Sequence, residues 1–131
     1  MIDAMIVPTI VHLSIGTLVL ISSLVALFVT VRAAWRKAPF SRGMHLIFIL
    51  FQVMVMLQIL IGIKLLDQGL GPLQLYIHYL GGAAPIAFAL LFYWFPGQND
   101  VVKSRRAAVV TVLSFLFVFM TFTIGSMYTP G

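Results

Sequence analysis

The chain has 131 residues, 62% of them hydrophobic and only 8% charged, with a formal net charge of +5. A soluble domain carries about 25% charged residues, so a water-soluble globule is excluded. Cysteine is absent, which removes disulfides, thiolate zinc sites, iron–sulfur ligation and covalently attached c-type haem.

Residues 4–31, 43–63, 68–99 and 107–131 contain no Lys, Arg, Asp or Glu. About 20 apolar residues cross the hydrocarbon core of a bilayer as a helix, so four crossings are expected. The predicted helices cover about residues 5–34, 44–66, 73–95 and 106–127. The first opens near Pro8, tolerated in a first turn, and closes at Trp35 among basic residues, where an interfacial aromatic belongs. Its apolar run is too long, and its start too poor in basic residues, for a cleaved signal peptide. Pro39 and Gly43 mark the first connection. Asp67, Gln68, Gly69, Gly71 and Pro72 form a second, and Pro96-Gly97 stops the third helix. Pro85 inside that helix is expected to kink it or loosen its backbone. Short connections make consecutive helices antiparallel neighbours. The expected fold is an all-α, up-down-up-down transmembrane four-helix bundle forming one domain.

The basic residues orient this bundle. Arg32, Arg36, Lys37 and Arg42 lie between helices one and two, and Lys103, Arg105 and Arg106 between helices three and four; only Lys64 falls elsewhere. Short Lys/Arg-rich loops stay cytoplasmic. Loops 32–42 and 97–106 are therefore expected inside, both termini outside, in a prokaryotic plasma membrane. The same placement argues against nucleic acid as a partner, since the charge serves orientation.

Two histidines fall inside apolar helices, His12 on the first and His78 on the third. An ionisable side chain in lipid is costly and marks a functional site by default. His12 precedes Arg32 by 20 positions and His78 precedes Asn99 by 21, so both lie about 30 Å from the basic end. Each is followed four residues on by a glycine, Gly16 and Gly82, one turn along the same face. Imidazoles from two helices of a bundle can ligate one haem iron without a covalent link, with the glycines clearing space for the macrocycle. Haem b bound by His12 and His78 is the leading candidate. The other reading is that each histidine hydrogen-bonds a neighbouring helix. Gly16, Gly62, Gly81, Gly82 and Gly125 all fall in the outer halves of their helices, consistent either with close helix packing or with a cavity for a flat cofactor.

Zinc or non-haem iron would need a third His, Glu or Cys at that level, and none is available. His45, near Arg42, reads as interfacial or as a helix-start hydrogen-bond former, so one haem is the limit. Lys64 is either a snorkelling helix-end lysine or a counter-charge for a haem propionate. Gln52 and Gln58 read as interhelical hydrogen-bond formers, and Met44, Met54 and Met56 as packing residues. Gln74, Tyr76 and Tyr79 are placed at the rim.

The string His12-Leu-Ser-Ile-Gly16, a basic loop, Leu57-Gln58-Ile-Leu-Ile-Gly62, an outer turn ending Gly71-Pro72-Leu73, and Ile77-His78-Tyr-Leu resembles one half of heme A synthase. The resemblance covers roughly residues 9–96. It implies a four-helix bundle with His12 and His78 as axial haem ligands. The family's enzymes have eight helices in two such bundles, and their catalytic half has a glutamate just before the first histidine. Here that stretch reads Pro8-Thr9-Ile10-Val11, there is no glutamate in the chain, and the outer-loop cysteine pair of some members is absent. Electron transfer, alone as a homo-oligomer or within a respiratory-type membrane complex, therefore fits better than oxygenase chemistry, and no catalytic residue is assigned. The competing classes are a cofactor-free structural or assembly subunit and a quinone-site protein. Transport is disfavoured by the absence of acidic residues in the membrane core.

Overall fold

Each helix carries one narrow stripe of buried residues, and on α1 and α4 the stripe repeats in strictly alternating steps of three and four. On α1 (Thr9–Trp35) the stripe is Gly16, Val19, Ser23, Ala26, Thr30 and Ala33; on α4 (Asp100–Met127) it is Ser104, Ala107, Thr111, Ser114 and Val118. On α2 (Arg42–Asp67) it is Met44, Phe48, Phe51, Val55 and Leu65; on α3 (Tyr76–Trp94) it is Gly81, Pro85, Ala89 and Phe92. A 3.5-residue repeat keeps one seam facing its neighbours in a left-handed bundle. The computed structural model describes residues 9–67, 76–95 and 97–127.

Helix α1 packs on α4 and α2, and α3 packs on α4 and α2, while α1 and α3, like α2 and α4, face each other across the diagonals. This is the expected all-α four-helix bundle, with no strand among the described residues. Three helices, α1, α2 and α4, are long and apolar enough to cross a membrane. Large apolar side chains such as Ile10, Leu18, Phe28, Leu60, Leu80 and Phe119 point outward, which is the surface lipid requires.

The α1–α4 seam is lined mainly by small residues. Ala26 and Ala107 are fully buried, and the hydroxyls of Thr30 and Thr111 meet across it at 2.6 Å. Small residues let backbones approach, and an interhelical hydroxyl bond contributes about 0.6 kcal/mol, at most about 1.7. The α2–α3 side fills with rings instead: Phe48 and Phe92 pack at 5.1 Å, with Phe40 at 5.4 Å from Phe92.

The helix ends at the basic end are closed by specific bonds. Helix α1 finishes in a Schellman turn: Ala38 N–H donates to Ala33 O at 2.8 Å and Lys37 N–H to Ala34 O at 3.2 Å, with Lys37 at φ 53°. Ser41 caps α2 through Met44 N–H at 3.2 Å, and Asn99 caps α4 through Val102 N–H at 3.0 Å. The Arg106 guanidinium donates to Phe95 O at 3.0 Å, closing the end of α3, and Phe40 N–H donates to Asp100 O at 3.0 Å, tying the two connections together.

Helix α4 starts at Asp100, six residues before the expected 106. The Asn99 cap and an acidic Asp100 in the first turn favour initiation there. Lys103, Arg105 and Arg106 therefore stand on the first turns of α4 and not in a 97–106 loop. Helix α2 likewise begins at Arg42, two residues before the expected start. The expected stretches 5–8, 68–75 and residue 96 fall outside the described residues. Helix α3 runs unbroken through Pro85, whose side chain is fully buried. The proline has no N–H, so the Gly81 carbonyl loses its donor within the helix.

Candidate functional site

The diagonal pair α1 and α3 brings His12 and His78 together. Their ring centroids are 6.2 Å apart, edge to face with an interplanar angle of 69°. Both are half-buried inside the end of the bundle opposite the basic residues. The matched depth read from residue spacing therefore becomes a direct side-chain contact.

Each imidazole is oriented by a neighbouring helix. His78 Nδ1 lies 3.1 Å from the Thr121 carbonyl. A carbonyl only accepts, so Nδ1 carries the proton and Nε2 keeps its lone pair. Gln58 Nε2 donates to the His12 backbone carbonyl at 2.9 Å and approaches His12 Nε2 at 3.4 Å. An amide nitrogen only donates, so His12 Nε2 accepts in that long contact and Nδ1 bears the hydrogen.

Glycines on α2 and α4, the other diagonal, receive the rings. A Cβ on Gly125 would stand 2.7 Å from His78 Cε1 and 3.1 Å from its Nδ1; one on Gly62 would stand 3.3 Å from His12 Cε1. Gly16, expected to clear space beside His12, instead accommodates the Gln58 amide, which would lie 2.9 Å from a Cβ there. Gly81 abuts the Thr121 hydroxyl, and Gly82 faces Thr121 Cγ2 at 3.6 Å. Lys64 lies half-buried on α2, two residues beyond Gly62. Tyr79 stacks edge-on against His78 at 5.8 Å. Gln74 and the side chain of Tyr76 fall outside the described residues.

Three polar atoms of this cluster are buried with no hydrogen-bond partner among the described residues: His12 Nδ1, Gln58 Oε1 and Thr121 Oγ1. Each unsatisfied group costs about 1–3 kcal/mol. Ser104 and Ser114 hydroxyls are also without partners, but they lie dispersed along the α4 seam. The concentration of unpartnered atoms at the histidines, beside glycines that make room for rings, singles out this cluster as the candidate site. No three His, Cys, Asp or Glu residues converge to hold a metal among the described residues, so a site with three protein ligands lacks its donors.

Sequence reasoning named Gly125 among the outer-half glycines without pairing it with His78, and it missed Thr121 and a second polar group. His45 Nε2 and Gln52 Nε2 both reach the Tyr93 hydroxyl, at 3.1 and 3.0 Å, bridging α2 and α3 near the basic end. Gln52 thus forms the expected interhelical bond, and His45 is a bridging residue more than a helix-start one. The signal available was spacing: His45 and Gln52 are seven residues apart and share a helix face.

Fold and site together define a four-helix bundle of membrane-spanning composition with a half-buried histidine pair. Comparison of the chain with protein-family models, with curated proteins and with solved structures finds no match.

Proposed function

We propose that the protein binds one b-type haem between His12 and His78 and serves as a membrane electron-transfer unit, related in plan to one half of heme A synthase. The observation that carries this reading is the imidazole pair across the bundle diagonal, with ring centroids 6.2 Å apart. Two imidazoles this close, brought from different helices, could together hold one metal ion. The donor set fits: two imidazoles, one of which has its Nδ1 proton held by a carbonyl and its Nε2 outside that bond.

The residues around the pair have definable tasks. The Thr121 carbonyl fixes the ring angle and tautomer of His78, the usual outer-shell role beside a metal-bound imidazole. Gln58 holds the His12 backbone, while its 3.4 Å contact with Nε2 is long enough to surrender at small cost. Lys64, the one basic residue distant from both basic segments, supplies positive charge for a cofactor carboxylate. The apolar exterior of the bundle keeps water from the pair. Haem held by His12 and His78 would supply one-electron redox chemistry.

A second reading rests on the same contacts. The histidines already engage Gln58, Thr121 and each other, so they can serve as interhelical hydrogen-bond formers in a cofactor-free assembly subunit. An optical spectrum separates the two. Protein purified from haem-replete cells is expected to show a Soret band with sharp reduced-state bands after dithionite, lost in His12→Ala and in His78→Ala. A folded protein that stays colourless after incubation with hemin overturns the haem reading.

A further inference from the structure

The outer wall of the α1–α4 pair carries a groove at the basic end, well away from the histidines. Leu24, Phe28 and Val31 of α1 and Val112, Phe115 and Leu116 of α4 line it, and its volume is about 680 Å³. Arg32, Trp35 and Arg36 close its mouth. Residues 24–36 span about 18 Å along the helix axis, slightly more than the hydrocarbon depth of one bilayer leaflet.

The mouth is chemically selective. Arg32 stands on the last turn of α1 and Arg36 one turn further on, just past the helix end, with Arg36 N–H donating to Arg32 O at 3.0 Å, and both side chains are exposed. Neither guanidinium makes a hydrogen bond or ion pair among the described residues. The one acidic residue at this end, Asp100, lies 4.0 Å from Lys103. Two unengaged planar forks a turn apart match the oxygens of a phosphate, which guanidinium binds in bidentate fashion. Trp35 is 87% exposed beside them, at the level where an indole meets lipid headgroups.

We propose that this groove is a binding site for one anionic phospholipid, with an acyl chain along the α1–α4 wall and the phosphate held by Arg32 and Arg36. Charge complementarity selects the occupant: a zwitterionic lipid brings its own cation to the same forks, and a membrane peptide of this polarity would need acidic residues at the mouth. Basic pockets between membrane helices favour anionic headgroups on these grounds. The site does not depend on whether the histidine pair holds a cofactor.

The chain contains two tryptophans, so Trp94→Phe leaves Trp35 as a reporter at the mouth. Trp94→Phe protein in phosphatidylcholine vesicles is titrated with phosphatidylglycerol brominated on its acyl chains, and with brominated phosphatidylcholine as the reference. Trp35 quenching by the anionic lipid is expected at about fivefold or more lower mole fraction. Adding Arg32→Gln and Arg36→Gln is expected to bring the two lipids level. Arg42→Gln with Arg105→Gln, which removes as much charge from the same end, is expected to leave the preference intact. Equal quenching by both lipids in the parent overturns the proposal, and needs no further variant to be interpreted. A preference that falls equally with either pair of substitutions also overturns it, because total charge would then suffice.

Discussion

At the histidine pair the two facing glycines differ in how much their neighbours can yield. The His78 ring is pinned by its bond to the Thr121 carbonyl, so a methyl at Gly125, 2.7 Å from Cε1, cannot be relieved by rotation. Gly125→Ala is expected to destabilise the bundle by about 1–3 kcal/mol, the usual cost of overpacking, and to abolish most haem retention. The Gly62 contact needs a shift of only a few tenths of an ångström, and alanine recovers about 1 kcal/mol of helix propensity. Gly62→Ala is therefore expected to be near neutral in both readouts. Unfolding in mixed detergent and SDS, with Soret absorbance per protein, checks the pair; equal losses at both sites would refute the distinction. His12 and His78 were legible because charge-bearing chemistry in an apolar run stands out. The contacts of Gly125 and Thr121 with His78 were not, since nothing local ties α4 to a histidine 43 residues before Thr121.

At the level of the helices, the end chemistry is readable where it uses ordinary capping residues and hidden where it does not. Ser41 and Asn99 are standard N-caps, yet the run of basic residues after Asn99 draws attention to the loop and away from the helix that begins there. Lys37 closes α1 in the left-handed region at φ 53°, a position glycine fills more cheaply. A left-handed non-glycine residue costs about 1 kcal/mol, partly offset by the greater freedom glycine has when unfolded. Lys37→Gly is thus expected to raise stability by about 0.5 kcal/mol, measured by unfolding in mixed micelles; a loss would show that the lysine side chain itself stabilises the turn. Pro85 leaves α3 one backbone bond short, and its ring is buried on the packed stripe with Gly81 and Ala89. Neighbouring helices can absorb a missing backbone bond.

For the molecule as a whole, the burial pattern is the reverse of a soluble bundle. Serine, threonine, alanine and glycine fill the α1–α4 seam while leucine, isoleucine and phenylalanine face outward. Four helices were therefore legible from hydropathy alone, but their facing surfaces were not, because both faces of each helix are apolar and no amphipathic contrast marks the seam. The heptad of small residues carries that information instead. Ala26, fully buried, and Ile21, 53% exposed, make the contrast testable. Ala26→Leu is expected to cost about 1–3 kcal/mol by overpacking, and Ile21→Ala to fall within about 0.5 kcal/mol; the opposite ranking in SDS unfolding would reject this packing. The left-handed lysine then acquires another meaning. A membrane chain is threaded once, during synthesis, and the cations of short loops set which way it enters. Lys37 is one of the cations on which the expected orientation rests, so the glycine that would make the better helix end would also remove one charge from that signal.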